Sequence, residues 1–141
     1  MERVRRQVGV EEALRDEMFV KEIQVSGGRE DWKKRKVTVG VLDTGIGDHP
    51  DLRGKVLGFR DFVGRNQLMY DDNGHGTHIC GIIAGSGVES GGRMRGMAPG
   101  SRLVVGKVLD HNGDGMTKHM LEALDWILEV RKQYQIRVLY C

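Results

Sequence analysis

Two hydrophobic periods alternate along the chain from residue 37 onward. Residues 37–42, Val37-Thr38-Val39-Gly40-Val41-Leu42, form a β-branched and nearly unbroken apolar run that ends at Asp43, the pattern of a strand covered on both faces. Residues 103–109, Leu103-Val104-Val105-Gly106-Lys107-Val108-Leu109, read as a second such strand. Between them a helix is expected to begin near His75 and run to about Ala84. Residues 117–133 then place Met120, Leu121, Leu124, Ile127 and Leu128 at helical spacing, and residues 136–139 open a third strand. Strands alternating with helices imply an α/β fold, a parallel sheet flanked by helices. No internal repeat or low-complexity segment interrupts the pattern.

Residues 1–36 are of a different kind. Leu14, Met18, Phe19 and Ile23 fall at helical spacing within residues 11–23, with acidic residues early, as the helix dipole prefers. Ser26-Gly27-Gly28 breaks that pattern, and Lys33-Lys34-Arg35-Lys36 leads into the first strand as a solvated entrance. The expected organisation is a charged, partly helical extension over residues 1–36, followed by one folded unit over residues 37–141.

Composition narrows the function classes. At 141 residues, 30% charged and 39% hydrophobic, the chain has the make-up of about one soluble domain. The net charge of +2 lies entirely in residues 1–36 and is too small to imply nucleic-acid or anionic-membrane partners. No apolar run reaches the roughly 18 residues that span a bilayer, and no signal-peptide core follows Met1, so a cytoplasmic location is expected. Cys80 and Cys141 cannot make a disulfide framework, and Cys80 reads as a buried, inert thiol. Of 21 glycines, 18 lie from residue 37 onward, which marks sharp turns and close backbone approaches.

The chemistry concentrates at two places. Asp43 sits at the carboxyl end of a buried parallel strand, where ligands and catalysis gather in such sheets, and Thr44-Gly45 turns the chain after it. Asp71-Asp72-Asn73-Gly74-His75-Gly76-Thr77-His78 sets a histidine between two glycines at a helix start. The helix dipole disfavours an imidazolium there, whereas a carboxylate such as Asp43 on one ring nitrogen favours it and fixes the tautomer. That balance suits a general base. His78 leaves a second arrangement open, a metal-dependent hydrolase in which His75 and His78 ligate a metal with Asp43 or Asp72 as the third ligand; a hydrogen-bonded structural role for His78 is the favoured reading.

Four motifs in order carry a family resemblance: Val41-Leu42-Asp43-Thr44-Gly45-Ile46 with His49-Pro50-Asp51-Leu52, Asn73-Gly74-His75-Gly76-Thr77-His78 with Gly81, Gly96-Met97-Ala98-Pro99, and Lys107-Val108-Leu109. Over residues 37–139 the chain resembles the subtilisin-like serine proteases. The resemblance implies the subtilisin-like three-layer fold and a serine endopeptidase acting on peptide or protein substrates, with Asp43 as orienting carboxylate and His75 as general base. It also implies that Gly113, Asp114 and Gly115 form an edge for an extended substrate, with Leu109 lining a side-chain pocket beside it.

Other parts of the family pattern are missing. No Gly-Thr-Ser-Met-Ala type nucleophile motif and no oxyanion asparagine motif occurs, and Ser26, Ser86, Ser90 and Ser101 sit in loop contexts unlike a nucleophile elbow. The match stops after Leu139. The expectation is therefore an incomplete, truncated fold, the N-terminal portion of a catalytic domain, inactive alone and left with an open apolar edge at residues 136–139. A non-catalytic peptide-binding remnant or regulator is the alternative from another class. No metal or cofactor is expected. Asp51 stands where many secreted relatives place a calcium ligand, but residues 85–92 lack their asparagine-rich pattern; Asp110-His111-Asn112-Gly113-Asp114-Gly115 begins like an EF-hand loop, yet its twelfth position is Leu121.

Overall fold

The computed structural model describes residues 37–141, so the helical stretch expected at 11–23 and the basic run before residue 37 lie outside the described residues. Strand β1 (Thr38–Asp43) is followed by a 3-10 turn (Pro50–Leu52), β2 (Val56–Asp61), helix α1 (His75–Ala84), a second 3-10 turn (Val88–Ser90), β3 (Arg102–Lys107), helix α2 (Thr117–Tyr134) and β4 (Ile136–Tyr140). All strand pairs are parallel, in the order β2-β3-β1-β4.

The strands assemble this way because both faces of the two central strands are apolar, and each face needs its own cover. Val39, Val41, Leu103 and Val105 pack under α1 through Cys80 and Ala84. Leu42 and Val104 point the other way, against Ala123, Trp126 and Ile127 of α2 and against Phe62. Helix, sheet and helix thus make three layers. Gly106 permits the close approach on the α2 side: a side chain there would meet Leu42 Cδ2 at 2.7 Å, with Phe62 and Trp126 next. Cys80 is fully buried and its thiol pKa is pushed up to about 12 by burial, as an inert thiol requires.

Strand β2 has no local sequence pattern that predicts it. Its Val-Leu-Gly-Phe-Arg-Asp sequence is interrupted by Gly58 and Arg60, it is half-covered, and it pairs with β3 through an irregularity between Val56 and Gly58. The strand expected to reach residue 109 ends at Lys107. Val108 and Leu109 then leave the ladder because both of their N–H groups turn onto the Asp43 carbonyl, at 2.8 and 3.2 Å. Strand β4 pairs with β1 and exposes Val138, Leu139 and Tyr140 among the described residues.

Phe62 closes the α2 side of the core, 1% exposed and tilted against Trp126 with ring centroids 5.8 Å apart. Phe62→Ala should cost about 3–5 kcal/mol of stability, read as a lower urea midpoint.

Candidate active site

The α1 face of the sheet carries its charge at the carboxyl end, because period-two alternation continues Val39 and Val41 into Asp43. Asp43 is only 3% exposed and must be paired there. Its Oδ1 accepts the N–H of Thr44 at 2.7 Å. The Nδ1 of His75 lies 2.8 Å from Oδ1 and 3.0 Å from Oδ2. A carboxylate only accepts, so the proton between them belongs to Nδ1, which leaves the Nε2 lone pair on the other side of the ring. The His75 side chain is 52% exposed. Hydrogen bonding and then charge attraction from Asp43 raise the His75 pKa above 6.5, with a smaller contribution from Asp71.

Asp71 latches the start of α1 onto the loop after β1. Its Oδ1 accepts from the Thr44 hydroxyl and from the N–H groups of Asn73 and Gly74, and its Oδ2 accepts from the N–H and hydroxyl of Thr77. Despite desolvation, which acts in the opposite sense, these bonds hold its pKa at about 2. The Thr44 hydroxyl accepts in turn from the Gly76 N–H, and Thr77 Oγ1 accepts from the Gly47 N–H. Two glycines make room for this contact. A Cβ on Gly76 would lie 2.3 Å from the Gly45 carbonyl oxygen, and Gly45, at φ +122°, presses against the Tyr70 carbonyl.

The structure brings Asp43 and His75 together but leaves His78 apart. His78 is exposed and its ring takes no hydrogen bond among the described residues, which corrects the expectation of a hydrogen-bonded structural histidine. Among the described residues no three His, Cys, Asp or Glu side chains are grouped to hold a metal, so Asp43, His75 and His78 do not form such a set. Asp51 accepts from the Glu89 N–H and lies 3.4 Å from the Ser86 hydroxyl.

The loop after β3 lies beside the histidine. Leu109 and Gly115 form an antiparallel bridge, and the turn between them is closed by Asp110, which accepts the N–H groups of Asn112 and Asp114. That use of Asp110 accounts for the calcium-loop pattern as a turn. Leu109 is half-buried, whereas Gly113, Asp114 and Gly115 are exposed. The Asn73 side-chain amide donates to the His111 carbonyl at 3.0 Å and ties this loop to the turn before His75. Ser86, Ser90 and Ser101 direct their hydroxyls to Asp51, the Gly87 carbonyl and the Ala98 carbonyl, none to His75.

Asp43→Asn should bring the His75 midpoint down toward 6.5, read from the ring proton shifts in an NMR titration. Because the folded pKa is the raised one, the stability due to the His75 pairing should be complete below the unfolded value and disappear as pH rises through the folded value. Gly76→Ala should cost about 1–3 kcal/mol by chemical denaturation, since backbone rather than a movable side chain meets the added carbon.

The subtilase family model matches residues 34–139. The serine protease AprX of Bacillus subtilis is 47% identical over 66% of this chain and 21% of the relative. The major intracellular serine protease of the same organism is 35% identical over 76% of this chain and 36% of its own length. A crystal structure of a cold-adapted subtilisin-like serine proteinase superposes with a TM-score of 0.57 and 34% identity, over 66% of this chain and 32% of that one. The chain thus spans about a fifth to a third of these proteins. A family model that covers residues 34–139, with a parallel sheet whose central strand ends beside a helix-starting histidine, places the chain in the subtilase family of serine peptidases.

Proposed function

We propose that this chain carries the acid-base half of a subtilisin-like endopeptidase site, with Asp43 and His75 as the catalytic pair. The observation that carries this reading is the 2.8 Å contact between His75 Nδ1 and the buried Asp43 carboxylate. It leaves Nε2 able to take a proton. In the proposed reaction a serine hydroxyl from outside these 141 residues gives its proton to Nε2 as its oxygen bonds to the scissile carbonyl carbon. Asp43 stabilises the imidazolium so formed. His75 then returns the proton to the departing amine as the C–N bond breaks, and a water repeats the sequence to release the acyl group. The exposed edge at Gly113, Asp114 and Gly115 would pair with the extended substrate backbone, with a side chain seated by Leu109.

None of the serines among the described residues is directed at His75, and Ser26 does not lie in a Gly-Thr-Ser-Met-Ala type motif, so the 141 residues by themselves should hydrolyse no peptide. In subtilisin, loss of the serine or of the histidine costs about 10⁶ in turnover, about as much as loss of the whole triad. A fluorogenic peptide assay on the purified chain should show no turnover sensitive to serine-directed phosphonates. Joining the chain to a subtilase segment that supplies the Gly-Thr-Ser-Met-Ala motif should restore hydrolysis, and His75→Ala should abolish it again. Phosphonate-sensitive turnover by the chain alone would overturn the first expectation, and turnover indifferent to His75→Ala would overturn the second.

A further inference from the structure

Lys107 ends β3 directly after the apolar run Leu103-Val104-Val105-Gly106 and is 1% exposed. In register it stands between Asp43 of β1 and Asp61 of β2, on the α1 face with Val105. An ammonium withdrawn from water to this degree is tolerated only if each of its three N–H groups finds an acceptor. They do. Nζ donates to the Thr44 carbonyl at 2.7 Å, to the Leu109 carbonyl at 2.8 Å and to Asp72 Oδ1 at 2.6 Å. The Tyr70 ring lies 5.1 Å from the same nitrogen.

The identity of the carboxylate partner matters. Asp61 stands in register with Lys107, but its oxygens are committed to the N–H groups of Val63, Gly64 and Asn66 and to the Tyr70 hydroxyl. Asp43 is committed to Thr44 and His75. The ammonium therefore reaches Asp72, whose side chain is 42% exposed and lies in the turn that leads into His75. Its three acceptors belong to three segments: the residue after Asp43, the start of the 109–115 loop, and the turn before His75. The adjacent Asp71 holds the start of α1, so the two neighbouring aspartates face different anchors.

We propose that Lys107 is a positioning residue for the Asp43–His75 pair, its ammonium fastening the turn before His75 to the loop after Asp43 and to the proposed substrate edge. This inference rests on the proteolytic reading of that pair and adds a role to a residue that contacts neither substrate nor reacting atoms.

Nitrogen NMR of the His75 ring in the full chain tests it, because that measurement reads proton position without requiring turnover. In the wild type the neutral ring should carry its proton on Nδ1. In Lys107→Met the majority should move to Nε2 and the ring should titrate lower, as the Asp43 bond loosens. Asp72→Ala cuts one arm at a partly exposed side chain and should shift the ring in the same direction by less. For Lys107→Met a role confined to local charge predicts the opposite sign, since removing a nearby cation raises an imidazole pKa; for Asp72→Ala the tautomer is the discriminating readout. A lower Tm in Lys107→Met with the His75 tautomer and titration unchanged, or a rise in the titration midpoint, would overturn the proposal. If Lys107→Met does not fold, an unchanged tautomer in folded Asp72→Ala overturns it equally. A wild-type ring protonated on Nε2 would instead overturn the proteolytic reading, and this one with it, whereas failure of a serine-complemented chain to cleave peptides would leave the NMR result standing.

Discussion

A carboxylate buried at the end of a central strand needs hydrogen-bond partners, and Asp43 depends on two of them. One oxygen takes the following N–H, and both lie within reach of the His75 ring. That pairing requires the start of α1 to sit over the end of β1, which in turn requires Gly76 to slide against the Gly45 carbonyl. The Asp71 bonds to Thr44 and Thr77 keep the two segments from drifting apart. Dry packing beneath, from Val41, Val105 and Cys80, keeps water from competing for the same groups.

The charges at this end of the sheet are divided rather than pooled. Asp61 closes the loop after β2, Asp71 caps the start of α1, Asp43 bonds to His75 and Asp72 meets Lys107. Four carboxylates so close together would repel one another and bind protons if they shared partners. Each instead has its own set of donors, and the buried Lys107 ammonium is saturated by acceptors from three segments. The lowered pKa values of Asp61 and Asp71, held by those donors despite desolvation, are the electrostatic sign of that division.

The geometry separates orientation from nucleophilic chemistry. Asp43 and His75 both lie within residues 43–77 and bond directly there, with Lys107 fastening the flanking turns from β3, and the serines of the described part are engaged elsewhere. The proposed acid-base couple therefore belongs to one contiguous stretch of chain, while the proposed nucleophile must come from another. The 109–115 loop stands beside the couple because the same Asp43 carbonyl that ends β1 captures the N–H groups of Val108 and Leu109.

What the sequence determined by itself was local. Continuous β-branched runs predicted β1 and the body of β3, helical periodicity predicted α2, and glycines around His75 marked a close approach at the start of α1, because each depends on neighbours within one or two turns of chain. The motifs also pointed to Asp43 and His75 as a pair. Only the tertiary structure decided the rest. Strand β2 carries a glycine and an arginine within six residues and is held by its pairing with β3, which no local period reveals. Asp61, Asp71 and Asp72 look alike in sequence, and their tasks differ because the donors that reach them come from different segments. A lysine within an apolar strand was a visible sign that three acceptors must converge on it, but which three was a matter of where distant loops end. A buried charge takes its role from the groups around it, and those are assembled only when the chain folds.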